Sequence, residues 1–293
     1  MRGTNVSNAN KSKRMRWTPV RHVVQLLMAA LFCLPPLAAG WGLFNLAGAV
    51  VADPVATPAE GVFFGTLSAS SLFGINLLDP YSILQVAAAS KSFALSWLVG
   101  LLPVLLVYGL LRGRVFCGWT CPVNLLLEAA DWLRAKLKLK VRERVVPRHA
   151  KLWVALAVLV LSALLSMPVF ELVSPLGIAG KGLALGSLTG GVTLIAILLV
   201  ELFWGHRVWC RALCPLGGFY EAVGKVGQVN VKIDHEACIG CDACKRACLC
   251  DPEILDPALA GAESFVSAGD CMACGKCVDA CPTNALKLGL GRR

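Results

Sequence analysis

The chain has 293 residues, 57% of them hydrophobic and 16% charged, with a net charge of +10 and a mean hydropathy of +0.68. Soluble globular chains hold about 45–50% apolar residues, so this composition argues against an ordinary soluble or disordered chain and favours a membrane protein. No basic segment is interleaved with aromatic residues in the manner of a nucleic-acid binder, and the positive charge reads as membrane topology instead.

In chain order, a basic tail (residues 1–21) carries six Lys and Arg residues between Arg2 and Arg21. Four stretches free of charge follow, within Val23–Ala52, Ser92–Leu111, Leu152–Phe170 and Gly182–Val200. Each matches the ~20 apolar residues a transmembrane helix needs. The start "KSKRMRW" and the later "PLAAG" resemble a cleaved signal peptide, but the apolar run continues beyond them and reads as an uncleaved anchor. Gly61–Ser90 is apolar but broken by Gly65, Gly74 and Asp79-Pro80, and reads as a re-entrant or interfacial segment rather than a fifth span. Lys and Arg fall in blocks: six before the first stretch, one in Asp53–Lys91, ten in Arg112–Lys151, one at Lys181 and ten after the fourth stretch. The positive-inside rule then closes with four spans and both termini in the cytoplasm. The segment "DWLRAKLKLKVRERVVPRHAKLW" reads equally as a polybasic surface helix or as an ordinary cytoplasmic loop.

Two short signatures follow the second and fourth stretches. "VFCGWTCP" (115–122) returns as "VWCRALCP" (208–215), and Glu128 and Glu221 follow at the same offset. Proline favours the first helical turn, so Cys121-Pro122 and Cys214-Pro215 mark places where new helices begin. A thiolate there is stabilised by the free amides of the helix start. Brought together about a pseudo-twofold axis, Cys117, Cys121, Cys210 and Cys214 would form one third redox site. A thiol or disulfide pair and a purely structural helix-break signature are the competing readings. His22 and His206 are candidates for proton transfer or quinone contact, against the plainer reading of interfacial histidines, and Cys33 reads as a small core residue.

Nine of the fourteen cysteines gather between Cys238 and Cys281. "CIGCDACKRAC" (Cys238–Cys248) and "CMACGKCVDACP" (Cys271–Pro282) both have C-x2-C-x2-C-x3-C spacing, in which three cysteines wrap one cubane and the fourth reaches the other. Crossed ligation assigns Cys238, Cys241, Cys244 and Cys281 to one [4Fe–4S] cluster, and Cys271, Cys274, Cys277 and Cys248 to the second. Zinc sites rarely use such triplets, and a cytoplasmic location disfavours disulfides. Cys250 is an extra thiol beside Cys248, which leaves the fourth ligand open between them. No C-x-x-C-H sequence for covalent haem occurs.

The expected architecture is an α-helical membrane protein. Four transmembrane helices form two pseudo-repeated hairpins (22–220), followed by a small α+β two-[4Fe–4S] ferredoxin domain (221–293) on the cytoplasmic side of the bacterial inner membrane. Four spans, the two Cys-x3-Cys-Pro motifs and the eight-cysteine tail together resemble the NapH family, with NosR-like and MauN-like proteins as relatives. The resemblance covers about Trp17 to Leu288, while Cys248-Leu249-Cys250 departs from the usual Cys-Pro. It implies a quinol dehydrogenase subunit that takes electrons from membrane quinol. With a NapG-like periplasmic ferredoxin partner, it would pass them toward a NapAB-like nitrate reductase. The alternative is a redox-sensing or maturation protein for another metalloenzyme. A transporter is disfavoured, because the apolar stretches lack the buried charges of a substrate path.

Overall fold

The first helix begins on a side chain supplied by the far end of the chain. The Asp279 carboxylate accepts hydrogen bonds from the Trp17 and Thr18 amides at 3.0 and 2.7 Å and from the Thr18 hydroxyl at 2.6 Å. It caps α1 (Trp17–Gly40), whose first amides have no partner within the helix. The computed structural model describes residues 16–40, 63–65, 69–72, 75–138, 147, 149–175 and 189–291.

Strands β1 (Phe63–Gly65), β2 (Ala69–Leu72) and β3 (Ile75–Leu78) form an antiparallel sheet in that order, with Phe63 opposite Leu72 and Leu72 opposite Ile75. Asp79 then caps α2 (Pro80–Ser90), accepting from the Ser82 amide at 3.1 Å, with Pro80 in the first turn. Helices α3 (Trp97–Leu111), α4 (Pro122–Lys136), α5 (Ala150–Leu165), α6 (Val169–Val173), α7 (Thr189–Phe203) and α8 (Pro215–Gly224) follow. Their shared core is aromatic: Phe116 stacks on Tyr220 at 5.3 Å, and Tyr81 meets Phe170 edge-on at 5.8 Å. At Gly218, α8 touches α5 so closely that a Cβ would lie 2.3 Å from the Lys151 carbonyl oxygen.

The C-terminal unit pairs β4 (Val229–Ile233) antiparallel with β5 (Leu286–Leu290), Val229 opposite Leu290. Between them lie α9 (Ala243–Arg246), a 3-10 turn (Pro252–Leu255), α10 (Asp256–Leu259) and α11 (Lys276–Ala280). Val231, Leu249, Ile254, Val266, Met272, Val278 and Leu286 fill its core. This unit is fastened to the helices. Arg112, 1% exposed, donates to the Val266 and Ala268 carbonyls at 2.7 and 2.6 Å and to the Asn230 side chain.

The four-span expectation is corrected. Among the described residues, no helix is long and apolar enough to cross a membrane. Helices α3, α5 and α7 have 15, 16 and 15 residues. At ~1.5 Å per residue they fall short of a ~30 Å hydrocarbon core. A charge-free run is not a helix. The second run spends Ser92–Ser96 before α3 starts, and α5 is closed early by Ser166 in the left-handed conformation at φ 53°. Helix α1 has 24 residues, but its first turns carry Arg21 and Gln25, both fully buried against protein. The multi-pass inner-membrane location with cytoplasmic termini, counted against those spans, falls with them. Gly61–Ser90 supplies the three strands and α2 instead of a re-entrant segment. The continuation of the first run to Ala52, the start of the fourth at Gly182 and most of the basic stretch 139–146 lie outside the described residues, as does the Cys33 side chain.

Replacing Asp279 with Ala removes the cap of α1 and is expected to cost ~1–2 kcal/mol. Hydrogen exchange should quicken at the Trp17 and Thr18 amides while the β4–β5 amides keep their protection.

Candidate redox centres

The two Cys-x3-Cys-Pro copies fold alike. Phe116–Thr120 and Trp209–Leu213 are each a single π-helical turn. The Cys121 amide donates to the Phe116 carbonyl at 3.0 Å, and the Cys214 amide to the Trp209 carbonyl at 2.8 Å. Each bond spans five residues, the wide spacing that defines a π-turn and often marks functional sites. The residue before a proline is steered to extended backbone, and Cys121 (φ −69°, ψ 117°) and Cys214 (φ −76°, ψ 108°) obey this as N-caps of α4 and α8. The Cys214 sulfur accepts from the Gly217 amide at 3.4 Å.

These turns bring Cys117, Cys121, Cys210 and Cys214 to one cavity of about 460 Å³, counting its mouth, walled by Phe116, Phe170, Trp209 and Leu216. Burial, reinforced by the Cys117 sulfur nearby, pushes the Cys121 and Cys214 thiols up to about 12. Burial also drives Cys210 well above its ordinary value. Buried apolar thiols are inert as nucleophiles; Arg114 also lines the cavity, but one guanidinium balances only one of four thiolates, and a metal centre would supply the remaining positive charge. Four sulfurs, a mostly apolar wall and two helix starts fit a four-thiolate iron–sulfur cluster. They fit a reactive thiol pair poorly.

In the C-terminal unit, Cys238, Cys241, Cys244 and Cys281 line one cavity of about 340 Å³. This is the set that crossed ligation assigns to a single cluster. Burial acts to raise the Cys281 thiol, but the Thr283 hydroxyl and the Leu286, Ala285 and Thr283 amides aimed at its sulfur hold it below the ordinary range. Cys271 and Cys277 are buried, and burial followed by the nearby Cys250 pushes Cys274 up to about 12. Both rival fourth ligands are at hand. Cys248 lies beside Cys274 and Cys277. Cys250, 3% exposed, lies beside Cys248, whose thiol donates to the Asp251 carbonyl at 3.4 Å; Cys248 and then Arg114 hold the Cys250 thiol below its ordinary range. Among the described residues no three His, Cys, Asp or Glu side chains are placed to hold a single metal ion; a cubane separates its four thiolates across a wider cage.

The two glutamates of the repeat occupy matching places. Glu128 takes both guanidinium nitrogens of Arg21, with His22 Nε2 at 3.0 Å and Asn124 at 3.1 Å. Glu221 takes His149 Nδ1 at 2.8 Å and Lys151 Nζ at 3.3 Å. His206 sits 3.2 Å from Asp131. Both candidate histidines therefore lie on carboxylates. Two arginines escaped the sequence reading: Arg114 and Arg207, each three residues before the first cysteine of its copy and each almost wholly buried. Arg114 donates to the Asp270 carboxylate and to the Cys210 carbonyl, both at 3.1 Å. Arg207 donates to Asp131 at 2.9 Å and Asn124 at 2.6 Å. The signal was present, since the repeat extends upstream as "RVFC" and "RVWC".

A family profile described as "4Fe-4S binding domain" matches residues 93–140 and 187–234, one match over each Cys-x3-Cys-Pro copy, and a second profile of the same description matches 265–287. The chain is 34% identical to the methylamine utilization ferredoxin-type protein MauN of Paracoccus denitrificans, over 87% of this chain and 84% of that protein. It is 33% identical to MauN of Methylobacillus flagellatus, covering 95% and 92% of the two chains. It is 29% identical to the ferredoxin-type protein NapH of Escherichia coli, covering 91% and 86%. No solved structure matches the chain.

Burial acts to raise the Glu128 carboxyl, but the Arg21 fork, His22 and Arg207 outweigh it and hold the group down to about 2. A depressed carboxylate stabilises the fold above its unfolded value, 4.5, and that contribution is lost as pH falls toward 2. It amounts to on the order of 3 kcal/mol. Acid denaturation of Glu128→Gln should accordingly lose this part of its slope between those limits, with lower stability at neutral pH.

Proposed function

The chain belongs to the ferredoxin-type protein family of MauN and NapH, and from that premise we propose that it carries three [4Fe–4S] clusters and moves electrons from a quinol toward a NapG-like ferredoxin partner. As a family member it is a 4Fe–4S electron-transfer protein. The proposed ligand sets are Cys238, Cys241, Cys244 and Cys281; Cys271, Cys274, Cys277 and Cys248; and Cys117, Cys121, Cys210 and Cys214. One observation carries the third set: cysteines from both repeats line the same cavity. The family profile over each copy supports it.

When bound, the clusters supply one-electron redox chemistry over a wide range of potentials. The chain's own residues do the rest. Phe116, Phe170 and Trp209 give the repeat cysteines an apolar wall, while Arg114 and Arg207 set buried positive charge beside them. His22 Nε2 with Glu128 Oε2, and His149 Nδ1 with Glu221 Oε1, pair a partly exposed base with a buried carboxylate. In this proposal each pair would pass a quinol proton to solvent. Leu95, Val99, Trp153 and Leu164 are each more than 70% exposed or close to it, an apolar surface on and beside α3 and α5 suited to a lipid-soluble donor.

The nitrate-reductase destination rests on the likeness to NapH. The higher identity to MauN proteins, named for methylamine utilization, favours a second reading, in which the same clusters serve redox sensing or maturation of another metalloenzyme.

Anaerobically purified protein should contain about twelve iron and twelve sulfide per chain, the sum of three four-iron clusters. About eight would mean that the repeat cysteines hold none. With duroquinol as the donor, Cys121→Ala should abolish cluster reduction while the two C-terminal clusters still assemble. Undisturbed reduction would exclude the repeat cysteines as the point of entry. Absent quinol oxidation in the intact protein would favour the maturation reading.

A further inference from the structure

The two π-turns do more than face each other; both press on one particular part of the C-terminal unit. Gly118, between Cys117 and Cys121, has room for no side chain: a Cβ there would lie 2.9 Å from the Met272 carbonyl oxygen and 3.7 Å from the Cys274 Cβ. The Trp119 indole donates to the Ala273 carbonyl at 3.1 Å. From the other repeat, Arg211 donates to the Cys250 carbonyl. Cys117 itself packs against the core of the C-terminal unit. The contacts of Gly118, Trp119 and Arg211 all fall on the loop Cys271–Cys274 or on Cys250, beside the second cysteine run.

The end of the first run comes near the second repeat, where Lys245, Arg246 and Cys248 line a cavity with His206 and Arg211, but its start points away from both π-turns. Cys277 stands near Cys244, so the two runs adjoin, but Cys241 is exposed and Ile239 is 66% exposed. The sites thus run from the half-buried cysteines of the repeat cavity, through Cys271 and Cys277, which are buried, and the half-buried Cys274, to the surface at Ile239 and Cys241.

The arginines break the pseudo-twofold symmetry in the same direction. Arg114 sits between the repeat cavity and the second run, held by Asp270 and the Cys210 carbonyl, with Cys250 and Cys117 both nearby. Its counterpart Arg207 turns away, toward Asp131 and Asn124.

Resting on the third-cluster reading above, we infer that the three sites form a linear chain in which the repeat site exchanges electrons directly with the Cys271–Cys274–Cys277 site, Arg114 being the positioning residue whose charge both share, and the Cys238–Cys241–Cys244 site is the exposed end of the chain. The step is a one-electron exchange: one site is oxidised by one electron, its neighbour is reduced by one, and no bond is made or broken. In the test, dithionite supplies the electrons.

Redox titration followed by low-temperature EPR separates the three signals. In Arg114→Gln, loss of the shared positive charge should lower the reduced fraction of both the repeat site and the second-run site about tenfold at fixed poise, or ~59 mV for one electron. Arg207→Gln should move the repeat site alone, and Arg114→Lys, which keeps the charge, should move neither by as much as Gln. If either Gln variant fails to assemble, the intact protein still decides. The reduced repeat site should speed spin relaxation of the second-run signal and leave the first-run signal nearly unchanged. Twelve irons with equal relaxation of both C-terminal signals, or with Arg207→Gln moving the second run as far as Arg114→Gln does, would overturn the linear order alone. Eight irons would overturn the third-cluster reading and this inference together.

Discussion

Two hydrogen bonds that each span five residues organise this molecule: the Cys121 amide to the Phe116 carbonyl and the Cys214 amide to the Trp209 carbonyl. Each closes a turn one residue wider than an α-helix, directly before a proline that cannot continue the ladder. The wide turn rotates the first cysteine of each copy toward the second, and the proline restarts the chain as α4 or α8 with the second cysteine at its cap. Because both copies do the same, four sulfurs reach one cavity. The arginine three residues upstream of each copy is carried into the protein interior by the same turn.

That geometry explains why so much charge is buried here. Burying an ion is costly unless it is paired and hydrogen-bonded, and the pairs are arranged as linked networks rather than isolated bridges. Arg114, Asp270, Lys151, Glu221 and His149 connect the repeat cavity to solvent on one side. Arg207, Asp131 and His206, with Asn124, Glu128, Arg21 and His22, do so on the other. A centre that changes charge by one electron needs surroundings that absorb the change, and two paired networks ending on partly exposed histidines can do so.

The chemistry was more legible in the sequence than the architecture. Cysteine spacing groups residues before any fold is known, and the set Cys238, Cys241, Cys244 and Cys281 lines one cavity; their role as ligands is part of the proposal. The repeat was equally plain, although stopping at its cysteines and glutamates concealed Arg114 and Arg207. Hydropathy misled because it counts residues without charge and is blind to where helices stop. Ser92–Ser96, the left-handed Ser166 and the strands β1–β3 all sit in or beside apolar stretches that read as continuous. Contacts between distant segments, such as Asp279 capping α1 or Arg112 pinning Val266 and Ala268, have no local signature at all. The choice between Cys248 and Cys250 stayed open in the sequence because the two differ by only two positions, and the fold keeps both thiols beside the Cys271–Cys277 cage.

The central claim is that each repeat holds half of one metal site, and non-additivity tests it most directly. Mössbauer spectra of iron-enriched protein would be quantified for Cys121→Ala, Cys214→Ala and the double variant. The shared-site account predicts that each single change removes about a third of the four-iron signal, one cluster of three, and that the double change removes no more than either alone. Losses that add, or a signal undiminished in all three variants, would contradict it.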